Sequence, residues 1–114
     1  MNPEQFDAFC LSLPATSMDV LWGADQVYKV GGKMFAVLGP EGTFSFKAND
    51  VAFEMLTQTG AAIPAPYMAR NKWVFFEKQG KVPDKDLKVY LTTAHELTAA
   101  KLPKKLRRAI GLDA

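Results

Sequence analysis

Residues 27 to 47 read VYKVGGKMFAVLGPEGTFSFK, three runs rich in apolar residues that are separated by two turns containing glycine. Both central positions of a type I′ hairpin turn need a positive φ, which glycine adopts without a Cβ clash, so Gly31 and Gly32 predict a two-residue hairpin. The segment from Gly39 to Gly42 predicts a second turn, because proline presets one φ and glycine relieves another. The stretch therefore predicts a three-stranded antiparallel meander.

The three runs of the meander differ in their pattern of apolar residues. The middle run, residues 34 to 38, is apolar at every position and predicts the central strand, covered on both faces. In the last run Phe44 and Phe46 alternate with polar residues, which is typical of a strand with one solvent-exposed face. The residues expected on that exposed face are Thr43, Ser45 and Lys47.

Further elements are predicted on both sides of the meander. Asn2 caps a first helix that Pro14 ends, and residues 15 to 26 form a bridge in which a short strand is expected around residues 20 to 22. After the meander we expect a helix (51–60), an edge strand or loop with two prolines (61–70), a strong strand (73–77), a long helix (83–101) and a short basic helix from Pro103. The residues therefore predict a small α+β fold in the order α-β-β-β-α-β-β-α-α.

Length and composition limit the class of protein. A chain of 114 residues, 48% of them apolar, is long enough for one hydrophobic core and too short for two, so we expect a single domain over residues 1–114. No run approaches the roughly 18 apolar residues of a membrane helix, and the N-terminus lacks the features of a signal peptide. We therefore expect a cytoplasmic protein with no membrane partner.

Residue types that carry catalysis are sparse in this chain. One histidine and one cysteine cannot build a histidine-rich metal site or a CxxC motif, and the motifs GxSxG, HExxH and GxxxxGK[ST] do not occur. The string from Gly31 to Lys33 lacks the glycine spacing and the following helix of a phosphate loop. We therefore expect a protein that is not an enzyme, with no catalytic residue, no metal site and no cofactor.

Four side chains have both a structural and a functional interpretation: Cys10, Trp22, Trp73 and His95. Cys10 lies on the apolar stripe of the first helix, which favours a buried hydrophobe over a nucleophile. His95 lies at the rim of the apolar face of the long helix, which favours a structural or solvated histidine. Trp22 is expected to plug one end of the core and Trp73 to belong to a buried strand, with a binding role as the alternative for each.

Positive charge is concentrated at the C-terminal end of the chain. Residues 101 to 108, KLPKKLRR, hold five of the fourteen basic residues and no acid, whereas the chain as a whole has a net charge of only +2. Such asymmetry indicates a polyanion partner, although the same cations could complement a helix dipole or form a solvated face. The candidate nucleic-acid-binding residues are Lys101, Lys104, Lys105, Arg107 and Arg108, extended by Arg70, Lys72 and Lys33. Lys29 and Lys47 stand on strands that could extend the same surface.

Several local strings are shared with one family of small bacterial proteins. They are Leu13-Pro14, Trp22-Gly23, the hairpin VYKVGGKMFA from Val27 to Ala36, Trp73 after a basic loop, Glu96-Leu97 and the string KLPKK from Lys101 to Lys105. On these strings, which cover nearly the whole chain, the protein resembles the MmcQ/YjbR family, whose members are often labelled DNA-binding. Two positions depart from the family pattern: His95 stands where the family has tyrosine, and the loop before Trp73 lacks a histidine.

The resemblance implies both an architecture and a direction for function. It implies an α+β fold with a helix, three antiparallel strands, a helix, two further strands and C-terminal helices, all packed on one face of a single sheet. That fold is similar in outline to type III secretion chaperones and to frataxin-like proteins. Because one fold hosts many functions, the DNA-binding label is an expectation that the site itself has to support.

Three functions remain open from the sequence. The first is a non-enzymatic protein that binds DNA or another nucleic acid through phosphate contacts made by the basic residues named above. The alternative is a protein-interaction or chaperone-like adaptor module that uses an exposed sheet face or edge to bind a protein partner. The third is an acyl or small-ligand pocket, for which a buried cavity ringed by Trp22, Phe35 and Trp73 would be the evidence.

Overall fold

The chain forms one six-stranded antiparallel sheet with the strand order β1-β2-β3-β4-β6-β5. The computed structural model describes residues 1–66 and 68–112. The strands are β1 Thr16–Leu21, β2 Asp25–Val30, β3 Lys33–Leu38, β4 Phe44–Lys47, β5 Ile63–Pro64 and β6 Trp73–Phe76. The helices are α1 Pro3–Ser12, α2 Asp50–Gln58, α3 Asp84–Ala99 and α4 Lys104–Ala109, and a 3-10 turn spans Ala69–Asn71. The predicted α+β class and single antiparallel sheet are confirmed.

The meander forms as its turn residues predict. Gly31 and Gly32 have φ values of 57° and 82°, the two left-handed positions of a type I′ turn, and they join β2 to β3. In the next turn the Gly42 N–H donates to the Gly39 carbonyl at 3.2 Å. Strand β3 then lies between β2 and β4, and residues 35 to 38 are buried, as expected for the doubly covered strand.

The main core lies between the sheet and the helices. Helix α1 contributes Phe6 and Cys10, and α3 contributes Leu87, Leu91 and Ala94, all of which are buried. Strand residues that face them include Tyr28, Leu38, Phe44, Phe46, Val74 and Phe76. The rings of Phe44 and Phe76 stack with their centroids 4.6 Å apart. Burying a side chain of this size stabilises the fold by about 1.5–3 kcal/mol, so this layer holds the helices to one face.

The structure adds one strand to the predicted order. Strand β1 pairs with β2 over six positions, from Thr16 opposite Val30 to Leu21 opposite Asp25. Only a short strand near its end was expected, because the alternation in TSMDVL is weak and no residue type marks its start. The pairing extends because the hairpin register set at Trp22 and Gly23 continues along the full length of β2.

The second face of the sheet is less exposed than the alternation in β4 predicts. Ser45, expected on a solvent-exposed face, is only 6% exposed, and Lys47 is partly buried. The expectation was wrong because the chain after β5 crosses this face, where Ala65 and Met68 pack with Val27, Val37 and Trp73 in a second, smaller apolar cluster. Strand alternation reports the two faces of a sheet but not what covers them.

Candidate nucleic-acid interface

Three lysines from separate elements meet at one end of the sheet. Lys33 begins β3 just after the hairpin turn, Lys47 ends β4, and Lys101 follows the C-terminus of α3. Together with Asn71 and Thr98 they line a groove of about 240 Å³, with the Trp73 side chain in its wall. Antiparallel pairing places the start of β3 and the end of β4 at the same sheet end, which explains how residues distant in sequence come together.

A second groove of about 420 Å³ adjoins the first and adds two cations. Lys47, Asn71 and Lys101 line both grooves, and Arg70 and Lys72 line only the second. Arg70 lies in the 3-10 turn before β6, so this turn supplies part of the groove wall. We call the combined surface the basic groove and define its cations as Lys33, Lys47, Arg70, Lys72 and Lys101.

The charges of the basic groove are poorly neutralised by the protein itself. Of the described residues that line it, Asp50 carries the only carboxylate, and within residues 1–66 and 68–112 none of its five cations forms an ion pair. The Lys47 ammonium donates to the Asn71 carbonyl at 3.1 Å. Burial and, next, the nearby Lys101 ammonium lower the pKa of Lys47 below its usual value. A bound anion would relieve this repulsion between like charges.

Lys72 is held in an unusual backbone conformation. Its φ is 63°, a left-handed value that costs a non-glycine residue roughly 1–2 kcal/mol. Its carbonyl accepts a hydrogen bond from the Ala48 N–H at 2.9 Å, and its ammonium lies 5.0 Å from the centre of the Phe53 ring. A cation–π contact contributes about 0.5–1 kcal/mol at an exposed site, which offsets part of the strain and holds the ammonium over the Phe53 ring.

The cations of α4 lie outside the basic groove. Lys104, Lys105 and Arg108 are exposed on this six-residue helix, and none of them lines either groove. Arg107 is partly buried, and its Nη1 donates to the Ala100 carbonyl at 3.4 Å, at the C-terminus of α3. The Arg107 cation therefore lies at the negative end of the α3 dipole, in line with one of the interpretations of the basic cluster that the sequence left open.

Two lysines that were grouped together in the sequence have different surroundings. Lys29 lies 3.1 Å from the Asp19 carboxylate and forms an ion pair away from the basic groove. Lys47, in contrast, is central to the groove, although the sequence suggested it only as an extension of the C-terminal cluster. The sequence did contain a signal for this position. Lys47 follows Phe46 in β4, and side chains alternate along a strand, so Lys47 is expected on the sheet face away from Phe44, Phe46 and the helices.

The two tryptophans have opposite environments. Trp73 is 5% exposed, which confirms the prediction of a buried strand residue. Trp22 is 64% exposed, so the prediction of a core plug was wrong. Trp22 lies in the turn between β1 and β2, where its φ of 51° takes the chain out of the strand alternation. The ring of Trp22, Phe35 and Trp73 does not form either, because Phe35 packs in the core on the helix side.

Cys10 and His95 are both buried within the fold. Cys10 is fully buried, and burial together with the nearby Asp7 raises the pKa of its thiol above the usual value, which disfavours the nucleophilic thiolate. His95 is 5% exposed, its Nε2–H donates to the Pro14 carbonyl at 2.7 Å, and its ring meets that of Phe35 edge to face. His95 therefore ties α3 to the end of α1. Among the described helices, none has the length and apolar character needed to cross a bilayer.

Fold and site together define a small α+β protein with one antiparallel sheet, helices on one face and a cationic groove at one sheet end. The family model described as YjbR matches residues 11–97, and the chain belongs to this family. The crystal structure of protein DR2400 of Deinococcus radiodurans, with the family-model domain DUF419, is similar with a TM-score of 0.86. It is 23% identical, and the match covers 97% of this chain and 88% of that one, which shows the shared fold. No curated protein sequence matches the chain.

Proposed function

We propose that this protein binds nucleic acid through its phosphates and does not catalyse a reaction. The observation that carries the proposal is the basic groove, where five cations from four parts of the chain converge around one carboxylate. Gathering like charges costs free energy in the unbound protein, and a polyanion that releases its counterions on binding recovers it. The family membership leaves this function open, and the proposal rests on the charges of the groove.

The contacts in this proposal are made to the backbone of the nucleic acid. Lysine ammonium groups act as point charges toward phosphate, and Arg70 is the groove residue able to form a bidentate pair. Trp73 is too deeply buried to stack with a base, so we expect no stacking platform. We assign no base-reading residue and expect binding with little sequence preference. Lys104, Lys105 and Arg108 would supply outer contacts from α4.

Fluorescence anisotropy with labelled duplex and single-stranded DNA tests the proposal. Neutralising all five groove cations would endanger folding, so the test variant is Lys33→Gln/Lys72→Gln/Lys101→Gln. The control Lys78→Gln/Lys81→Gln/Lys85→Gln removes the same charge from exposed positions between β6 and the first turn of α3. With about five phosphates neutralised, log affinity of the wild type should fall with log salt at a slope of about −4.5. The groove variant should show a slope shallower by about 3.

A third variant separates the groove from α4. Lys104→Gln/Lys105→Gln/Arg108→Gln removes three exposed cations that do not line the groove. We expect a smaller loss of affinity from this variant than from the groove variant. Equal affinities for the groove variant and its charge-matched control would contradict the proposal, and a larger loss from the α4 variant would move the interface to α4.

A protein-interaction or chaperone-like adaptor is the second candidate, favoured by one feature of the sheet. Strand β1 is a six-residue edge strand, and Val20 on it is 60% exposed, whereas the other edge is the two-residue β5 with Pro64. A long edge accepts an extended segment of another protein by strand addition. In the anisotropy experiment, DNA affinity too weak to measure at low salt would favour this candidate.

A further inference from the structure

A second cavity lies at the opposite end of the sheet from the basic groove. Its volume is about 350 Å³, and its walls come from the β1–β2 turn, the β3–β4 turn and the segment that crosses the sheet face after β5. In an antiparallel sheet these two turns lie at the end away from the β2–β3 hairpin, where Lys33 begins the groove. The two sites share no lining residue. We call this cavity the sheet pocket.

The sheet pocket combines apolar walls with one carboxylate. Trp22, Phe75 and Met68 supply aromatic and polarisable surface, and Thr43 and Ser45 are also among the lining residues. Asp25 carries the only charge among the described lining residues. Within residues 1–66 and 68–112 its carboxylate has no ion pair. A carboxylate at an apolar wall is costly to desolvate unless a cation or donor meets it.

Trp22 at the rim of the pocket is held in a conformation that core packing does not explain. Its φ of 51° is a left-handed value, an outlier for a bulky residue, and the following Gly23 has a φ of 93°. The side chain is 64% exposed and yet lines the cavity. Backbone outliers of this kind are concentrated at ligand sites, where the surrounding structure holds them in place. The exposure of Trp22 at the rim leaves its side chain accessible to a ligand in the cavity.

From this arrangement we infer that the sheet pocket binds a small organic cation, a protonated amine on an aromatic or apolar body. The ammonium would lie between the Asp25 carboxylate and the face of Trp22, since charge-assisted hydrogen bonding and cation–π attraction both favour a cation. The apolar body would contact Phe75 and Met68. A pocket of this volume is within the range of small-ligand sites. An anion would be repelled by Asp25, and a neutral apolar molecule would leave it unpaired.

This activity is separate from phosphate binding. The charge of the sheet pocket has the opposite sign to that of the basic groove, and no cation lies among its described lining residues. A nucleic-acid backbone therefore has no partner there. The inference does not depend on the proposed function, and either can fail without the other.

NMR titration of the full chain with three probes of matched shape provides the test. The probes are 2-phenylethylamine, 2-phenylethanol and phenylacetate, which carry a cation, no charge and an anion. The chain has two tryptophans, so the two indole N–H signals can be assigned by Trp22→Phe. The amine should shift the Trp22 signal in a saturable way and leave the Trp73 signal in place. The alcohol should bind about tenfold more weakly, the gain expected from one charge-assisted hydrogen bond, and phenylacetate weaker still.

Two variants refine the outcome. Asp25→Asn should reduce the affinity for the amine about tenfold and leave only the smaller preference for amine over alcohol that the cation–π contact with Trp22 supplies. Asp86→Asn is the matched control, because Asp86 is an exposed carboxylate on α3, on the other side of the sheet, and it should bind the amine as the wild type does. Equal shifts with amine and alcohol in the wild type would overturn the inference, even if Asp25→Asn failed to fold. Amine binding that Asp25→Asn retains at full strength would overturn it as well.

Discussion

Individual side chains were predictable where a repeating pattern contains them. Cys10 lies on a helical stripe, and Trp73 lies within an apolar strand, so periodicity alone gave their burial correctly. Trp22 was misjudged because it stands one residue beyond β1, where strand alternation no longer determines the direction of a side chain. His95 was expected at the rim of its helix face, and it is buried between the Pro14 carbonyl, in the segment after α1, and the Phe35 ring of β3. Such a contact between distant segments leaves no local signal.

Tyr28 provides a prediction at the scale of one hydrogen bond. Its hydroxyl donates to Asp7 Oδ1 at 2.7 Å, and burial together with this bond raises the pKa of Tyr28 well above its usual value of about 10. Tyr28→Phe should lower the free energy of unfolding at pH 7 by about 1.5–3 kcal/mol, the value of a hydrogen bond to a charged group.

The pH dependence of this loss has a definite sign. Because the folded-state pKa lies above the unfolded one, the unfolded tyrosine loses its proton first as the pH rises past about 10. The stabilisation from Tyr28 is therefore complete below pH 10 and declines above it, so the wild type and Tyr28→Phe should converge there. Urea denaturation at pH 7 and at pH 10.5 measures both differences. A penalty that stays constant between the two pH values would show that the hydroxyl proton is not involved.

Elements were predictable to the extent that their turns and caps are local. Asn2 accepts a hydrogen bond from the Gln5 N–H as the N-cap of α1, and Asn49 caps α2 in the same way. The full length of β1 and the cover over Ser45 were not predicted, since both depend on pairing or packing with residues that the local pattern does not include. Element order thus follows from local chemistry, whereas the exposure of a sheet face does not.

The hairpin turn between β2 and β3 makes the packing of a whole element testable. Both Gly31 and Gly32 have positive φ, but a Cβ on Gly31 would lie 2.5 Å from Leu102 Cδ1, whereas one on Gly32 would meet no atom within 4 Å. Gly32→Ala should cost about 1 kcal/mol from backbone strain alone. Gly31→Ala should cost about 2–3 kcal/mol, because the buried Leu102 must also move.

Chemical denaturation of the two alanine variants gives the comparison directly. Gly32→Ala serves as the control for backbone strain, so the difference between the variants reports the contact between the hairpin and the segment that joins α3 to α4. Equal losses of stability would mean that Leu102 moves aside at no cost. In that case the position of α4 would not depend on the hairpin.

For the molecule as a whole, the charge asymmetry of the sequence pointed to part of the site. Lys101, Lys33, Arg70 and Lys72 were expected and converge, while the exposed cations of α4 remain outside the groove. Lys47 was expected only as an extension of the basic surface. It lies more than fifty residues before Lys101 in the chain, and the two come close because α3 packs on the sheet. The sequence shows which segments are rich in charged residues, but it does not show which charged residues from distant segments come close together in the fold.

A cluster of like charges should reduce stability in exchange for binding. Lys101→Gln removes the cation nearest Lys47, so it should raise the free energy of unfolding at pH 7 by about 0.3 kcal/mol, a small value because both groups remain accessible to solvent. The same variant should bind DNA more weakly than the wild type. Thermal unfolding in low salt, with and without DNA, measures both effects, and Lys85→Gln is the single-charge control. A loss of stability in Lys101→Gln would indicate that Lys101 packs against the fold favourably.

The position of β6 in the sheet has a consequence for the order in which the protein folds. Strands β1 to β4 are joined by short turns, so their pairing closes only small loops, whereas β6 joins β4 across the 25 residues 48–72, which include α2. Loop-closure entropy therefore favours early formation of the four-stranded meander and late docking of β6. Arg70, Lys72 and Trp73 arrive with that strand, as do Met68 and Phe75 of the sheet pocket. A nascent chain that has made only its hairpins thus has neither a complete basic groove nor a complete sheet pocket, and neither is complete before β6 docks.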